Sequence, residues 1–295
     1  MTVLGQNTAR DEIAIPGNPD ALLVLAWGVA TDTGHKRKHN EDSLLAICPV
    51  FAVADGMGGH SAGDVASDAV VTRLGEVARA ATGSTDTGFT RAGFTNPEAI
   101  VEALRAATAD ISHAVDEAEL GVGTTVTGAA LTLHDGHPYW AVFNVGDSRL
   151  YLFEHNVITQ ISVDHSVVQE LVSAGLITAA DAEHHPDSNV ITRAIGFNTE
   201  PVPDFWIIPV TRGSRLLLCS DGLTREVSEL RLRLHLAAGM SPQETALALV
   251  DAALAAGGRD NVTAVVIDVV ELDGLGENGP GEDGLGELED TATAR

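Results

Sequence analysis

The chain reads as an α+β domain in which helices lie on the faces of antiparallel sheets. Short apolar runs rich in Val, Ile and Leu, bounded by Gly, Asp, Pro or Asn, recur along it. Two hairpin signals join neighbouring runs, and a few well-marked helices stand between the others. With 295 residues at 44% apolar composition there is enough material for a sizeable core. No period of about 20 to 50 residues repeats, which excludes solenoids and propellers.

In chain order, residues 1–20 read as an N-terminal extension and residues 21–270 as the folded body. The apolar runs Leu22–Ala30 and Leu44–Ala54 predict the first strands. A helix is expected over about Ala62–Ala80, then a loose Gly/Thr/Ser-rich stretch from Thr82 to Thr95. Asn96-Pro97-Glu98 is an N-cap followed by proline at the first helical position. Ile100, Ala103, Leu104, Ala107, Ile111, Ala114, Val115 and Ala118 then recur at three and four, predicting one apolar helix face to Glu119.

Thr124–Leu133 and Tyr139–Val145 read as strands joined at His134-Asp135-Gly136-His137, where Asp-Gly supplies the positive-φ positions of a hairpin. Glu154-His155-Asn156 marks another turn after the run Leu150–Phe153. A helix is expected over Val167–Ala174, strands over Phe205–Val210 and Arg215–Cys219, and a helix over Ser228–Ala238. Ser241-Pro242-Gln243-Glu244 is a capping box that opens a helix to about Ala256, stopped by Gly257-Gly258. Thr263–Val270 is the last strand. Residues 271–295 hold eight acids against one Arg and almost nothing to bury, so they read as an acidic disordered tail.

Seventeen Lys+Arg against 42 Asp+Glu leave a net charge of −25, which weighs against nucleic acid or an anionic membrane as a partner. No stretch approaches the roughly 20 apolar residues of a membrane span. Arg10, Asp11 and Glu12 stand where a signal peptide needs an apolar core, so a cytoplasmic location is expected. Cys48 and Cys219 each sit in an apolar run and read as buried thiols.

Four aspartates stand at the ends of apolar runs. Phe51–Ala54 leads into Asp55-Gly56, Ala141–Gly146 into Asp147-Ser148, and Leu216–Ser220 into Asp221-Gly222, while Asp260-Asn261 directly precedes the final strand. Each alone is ordinary turn chemistry or a helix cap. Arg149 and Arg259 lie close to two of the four and could pair with them; Asp55 and Asp221 have no such neighbour. Gathered at one sheet edge, these carboxylates would repel one another toward protonation unless a cation intervened. Oxygen-only ligands select Mg²⁺ or Mn²⁺ over zinc.

The run Gly34-His35-Lys36-Arg37-Lys38-His39-Asn40-Glu41-Asp42 adds three bases in a chain poor in them. Lys36 and Lys38 read as solvated turn residues. An Arg beside clustered acids has a sharper use, because a guanidinium binds two phosphate oxygens at once.

The ordered set Gly34-x-x-Arg37-x-x-Asn40-Glu41-Asp42, Ala54-Asp55-Gly56-Met57-Gly58-Gly59-His60, Gly123-Thr124-Thr125, Gly146-Asp147-Ser148-Arg149, Asp164-His165-Ser166, Ile191–Gly196, Ser220-Asp221-Gly222 and Asp260-Asn261-Val262-Thr263 resembles the bacterial branch of the metal-dependent, 2C-type serine/threonine protein phosphatases over about residues 25–270. The resemblance implies a four-layer α/β/β/α sandwich of two antiparallel sheets flanked by helices, with the acidic edge as the cleft between the sheets. It implies two Mn²⁺ or Mg²⁺ ions: Asp55 bridging both, the Gly56 carbonyl on one, Asp221 and Asp260 on the other, and Asp147 with Asp221 matching the ligands of the third ion that bacterial relatives often carry.

Glu41 and Asp42 would then orient water from behind the ions, and Arg37 would hold the substrate phosphate. His60 is a candidate proton donor to the leaving oxygen, since Met57 stands where some relatives have His. The implied reaction is in-line hydrolysis of phosphoserine and phosphothreonine in proteins by metal-activated water, without a phosphoenzyme. Segment 166–189 corresponds to the family's flap beside the cleft. The expected substrates are targets of cellular Ser/Thr kinases, and the expected state is a monomeric, cytoplasmic domain without a membrane anchor.

Two other readings are weaker. A serine hydrolase would use Ser148 and His165, but the Gly-x-Ser-x-Gly elbow is missing and four acids are left unexplained. A catalytically weak, phosphatase-like binding module is the other, and intact Asp55, Asp221, Asp260 and Arg37 weigh against it.

Overall fold

The computed structural model describes residues 1–58, 62–82, 93–114, 121–182, 184–197 and 200–275. The chain runs β1 (Val3–Gly5), β2 (Thr8–Ile15), β3 (Asn18–Asp32), β4 (Asp42–Ile47), β5 (Val50–Met57), α1 (Ala62–Ala81), α2 (Pro97–Ala114), β6 (Gly123–Thr124), β7 (Val126–His134) and β8 (His137–Val145). It continues through β9 (Arg149–Glu154), β10 (Val157–Gln160), α3 (Val167–Ser173), α4 (Ala179–Ala182), β11 (Asp204–Pro209), β12 (Arg215–Cys219), α5 (Asp221–Thr224), α6 (Glu229–Leu236), α7 (Pro242–Ala256) and β13 (Val262–Asp273).

Two sheets form. One has the order β1-β4-β5-β7-β8-β11, with β6 paired to the end of β5; the other has the order β10-β9-β12-β13-β3-β2. All pairings are antiparallel except β1 with β4.

Strand periodicity divides the apolar residues between three cores. Phe51 and Val53 of β5 point into the space between the sheets, while Val50, Ala52 and Ala54 point to the core under α1 and α2. On the other sheet, Leu216 and Leu218 of β12 face inward, and Leu217 and Cys219 face the core under α5, α6 and α7. Both faces of each central strand are therefore covered, which is why these strands read as continuous apolar runs instead of alternating ones. Phe51 centres the middle layer, edge-on to Trp27 at 5.2 Å and to Trp140 at 6.2 Å. The result is the expected α/β/β/α sandwich.

Most local signals hold. Asp135 (φ 49°) and Gly136 (φ 78°) make the first hairpin turn, and His155 (φ 49°) and Asn156 (φ 64°) make the second. The Ser241–Glu244 capping box forms, and α7 ends at Ala256 before Gly257. Three expectations are corrected. The single run Leu44–Ala54 is a hairpin, β4 and β5, turning at Cys48-Pro49. The boundary at residue 20 cuts through β3, which begins at Asn18, and the preceding segment supplies an edge strand to each sheet. Asp221 begins the short helix α5 rather than ending a strand.

Helix α2 is described to Ala114; its expected last residues, and most of the stretches 82–95 and 271–295, lie outside the described residues. Among the described residues no helix is long and apolar enough to cross a membrane.

Candidate active site

Register brings the acids together. In the β4–β5 hairpin Asp42 stands directly opposite Asp55. β12 pairs with β13 so that Cys219 faces Ala264, which leaves Asp221 and Asp260 at the same end of the second sheet. Loop 33–41 crosses from β3 in that sheet to β4 in the first, carrying Arg37 over the gap. Gly56 is obligatory here, because a Cβ on it would overlap the Gly63 backbone at the start of α1.

Asp42, Asp147 and Asp221 are buried. Burial, reinforced by Asp221 and Asp260, pushes the Asp42 carboxyl up to about 7 despite hydrogen bonds from Thr263 and Ser220. Burial and Asp221 push Asp147 up to about 7 against the pull of Arg225. Asp55 lies well above the usual carboxylate range, through burial and then through Asp42, Asp221, Asp147 and Asp260. Asp221 is raised by burial and Asp260, with Arg225 opposing. Glu41 is raised by burial, with Arg37 opposing. Asp260 thus acts on Asp42, Asp55 and Asp221 alike, and Asp221 acts on Asp42, Asp55 and Asp147.

One oxygen of Asp42 ties the sheets together, accepting from Ser220 Oγ at 2.9 Å and Thr263 Oγ1 at 2.6 Å. Ser220 precedes α5 but makes no side-chain cap to it, its hydroxyl being donated to Asp42. Asp42 Oδ1, Asp221 Oδ1 and Asp64 Oδ1 are buried with no hydrogen-bond partner. Buried, unpartnered carboxylate oxygens among mutually repelling acids fit a hard divalent cation.

Two guanidinium groups lie against the cluster. Arg37 grips Asp260 through Nε–Oδ1 and Nη2–Oδ2, each at 2.8 Å. Arg225 Nη2 lies 2.6 Å from Asp221 Oδ2 and 3.4 Å from Asp147 Oδ2. Among the described residues no three acid, His or Cys side chains stand as a ready ligand cage. The pairings expected for Arg149 and Arg259 are corrected: Arg149 binds Asp164 at 2.7 Å and Arg259 binds Glu226 at 2.8 Å. Asp221 does have a basic neighbour, Arg225, one helical turn on. His60 lies outside the described residues.

Two positions escaped the sequence reading. Arg225 stands four residues after Asp221, a spacing that signals an ion pair on a helix and so was legible. Asn261 clamps loop 33–41. Its Nδ2 donates to the Thr33 carbonyl at 2.8 Å and the His39 carbonyl at 3.0 Å, and its Oδ1 accepts from Glu41 N at 2.9 Å. No sequence signal marks those bonds, which span more than two hundred residues.

The serine-hydrolase arrangement is absent. Ser148 is fully buried and its hydroxyl bonds Thr125 Oγ1 at 2.7 Å. His165 is engaged elsewhere, accepting from Gly146 N at 3.1 Å and facing Asp204 at 3.1 Å.

Residues 32–256 match the protein phosphatase 2C family. The chain is 34% identical over 249 residues to the serine/threonine phosphatase stp of Listeria monocytogenes, covering 81% of this chain and 93% of that one. It is 39% identical over 256 residues to the serine/threonine protein phosphatase PstP of Mycobacterium tuberculosis, covering 85% of this chain and 46% of that protein. The crystal structure of the PstP catalytic domain in complex with two manganese ions superposes with a TM-score of 0.72 at 35% identity, covering 84% of this chain and all of that one. In sequence and fold alike, this chain belongs to the protein phosphatase 2C family.

Proposed function

We propose that this chain is a metal-dependent phosphatase of phosphoserine and phosphothreonine in proteins, and that residues 21–270, together with the strands β1 and β2 before them and the end of β13 at Asp273, form its catalytic domain. The observation that supports the reading is the acid cluster itself: Arg225 lies against both Asp221 and Asp147, Arg37 grips Asp260, Asp55 is raised by the other aspartates, and Asp221 keeps a buried oxygen with no hydrogen-bond partner.

Asp55, the Gly56 carbonyl, Asp221 and Asp260 would hold two Mn²⁺ or Mg²⁺ ions, and Asp147 with Asp221 would be the ligands of a third. When bound, the ions supply Lewis acidity toward phosphoryl oxygens and make water acidic enough to attack near neutral pH. Glu41 and Asp42 orient water from behind that set, Asp42 being fixed by Ser220 and Thr263.

Arg37 is half exposed, and its grip on Asp260 is exchangeable. On leaving Asp260 it frees that carboxylate as a ligand and turns its fork to two phosphate oxygens. Attack by water in line with the leaving seryl or threonyl oxygen needs no protein nucleophile, so no phosphoenzyme forms. Segment 166–189, which carries α3 and α4 with no buried residue in either helix, is the flap that shapes substrate choice. The expected substrates are proteins phosphorylated by Ser/Thr kinases of the same cell, and the enzyme works as a cytoplasmic monomer.

Phosphate release from a phosphothreonine peptide tests this. Turnover is expected with Mn²⁺, loss with a chelator, and near-abolition in Asp55→Ala and Asp221→Ala. Chelator-insensitive hydrolysis, or full activity in either variant, contradicts the reading.

A further inference from the structure

Lys36 and Lys38 are the only two lysines in the 295 residues, and they flank Arg37. Every other base in the chain is an arginine, and most described arginines are held in ion pairs, as Arg73 is by Asp110, Arg105 by Glu200 and Arg215 by Asp268. Lys36 and Lys38 are exposed and have no ion pair or hydrogen bond among the described residues. Two ammonium groups with no such partner are thus carried by the loop that presents Arg37, in a chain whose net charge is −25.

Their platform is rigid. Asn261 ties both ends of loop 33–41, Gly34 N donates to Asp32 Oδ1 at 2.7 Å, and His35 N donates to the Gly258 carbonyl at 2.6 Å. The backbone is fixed while the two long side chains are free. That division suits their chemistry. Arg37, a planar fork, reads the geometry of one phosphoryl group, whereas lysine is a hydrated point charge on a flexible stem that meets anions at varied positions. Beyond about 8 Å, salt at physiological strength screens the acidic body, so the charges beside the cleft govern what approaches it.

We infer that Lys36 and Lys38 form a specificity rim selecting phosphopeptides that carry further negative charge, as Asp, Glu or a second phosphate, next to the phosphorylated residue. This rests on the phosphatase reading and adds a substrate class to it.

The test compares two phosphothreonine peptides at saturating Mn²⁺, one flanked on both sides by aspartates and one by neutral residues. Wild-type protein is expected to favour the aspartate-flanked peptide in kcat/KM, with the preference fading as salt rises. Lys36→Gln/Lys38→Gln should raise KM for that peptide about fivefold, as expected of two exposed charge contacts, with kcat and the neutral peptide unchanged. Lys36→Arg/Lys38→Arg should retain the preference. An unchanged ratio in the glutamine variant, or equal KM shifts for both peptides, overturns the inference. A wild-type protein that hydrolyses neither peptide defeats instead the phosphatase reading beneath it.

Discussion

Arg37 and Asn261 show how one residue acts through another. Arg37→Ala should chiefly raise KM for a phosphopeptide, by about 1.5 to 3 kcal/mol for the charged hydrogen bonds lost. Asn261→Ala removes the three bonds that hold the loop under Arg37 and should shift KM the same way. Because both changes act on one loop, their effects in the double variant should fall short of the sum. A double-mutant cycle on KM measures this, and strict additivity would place the work of Asn261 elsewhere. Arg225 makes a different point. With Asp147 and Asp221 both against its guanidinium, the chain carries its own counter-cation where carboxylates crowd.

The elements divide cleanly between shaping the cleft and supporting it. Helix α7 packs its Ala246, Leu249, Val250 and Ala253 into the outer core of the second sheet. Its start is fixed by Ser241, whose Oγ accepts from Glu244 N at 3.3 Å while Glu244 Oε2 accepts from Ser241 N at 3.0 Å. Ser241→Ala should therefore cost about 1 kcal/mol of stability, roughly 2 to 4 °C in Tm, and leave kcat and KM unchanged. Thermal melts beside a peptide assay separate the two effects; a change in KM would show that α7 reaches the cleft. The hairpin β4–β5 is the opposite case. Its register sets Asp42 against Asp55, so a slip of one residue would turn both acids to the wrong faces.

At the scale of the whole molecule, the acid cluster couples folding to pH and to cations. Asp42 and Asp147 are pushed up to about 7 in the fold, and Asp55 is also raised well above the ordinary aspartate value of about 3.8. Between about pH 4 and 7 the folded protein holds protons that the unfolded chain has released. Stability without metal must then fall as pH rises through that window. Divalent ions take the deprotonated oxygens and so reverse the trend. The rise in Tm produced by Mn²⁺ should accordingly grow from pH 5.5 to 7.5. Asp55→Asn should flatten the metal-free slope; a slope as steep as that of the wild type would show that general charge repulsion, not this cluster, sets it.

Much of this was legible in order along the chain. The hairpin turns at Asp135-Gly136 and His155-Asn156, the capping box of α7 and the apolar strands are local or periodic signals, and such signals survive in one dimension. The acids at run ends were visible as well, and with them the motif set that identifies the family. Partnership was not. That Arg37 holds Asp260, that Arg149 and Arg259 turn away to Asp164 and Glu226, and that Asn261 clamps loop 33–41 depend on residues brought together across the two sheets. Likewise, β1 and β2 carry weak patterns because each is an edge strand with one neighbour to satisfy. Periodicity records which face of an element is buried, but the choice of partner for a charge is made by distance in space, and distance exists only once the sheets have packed.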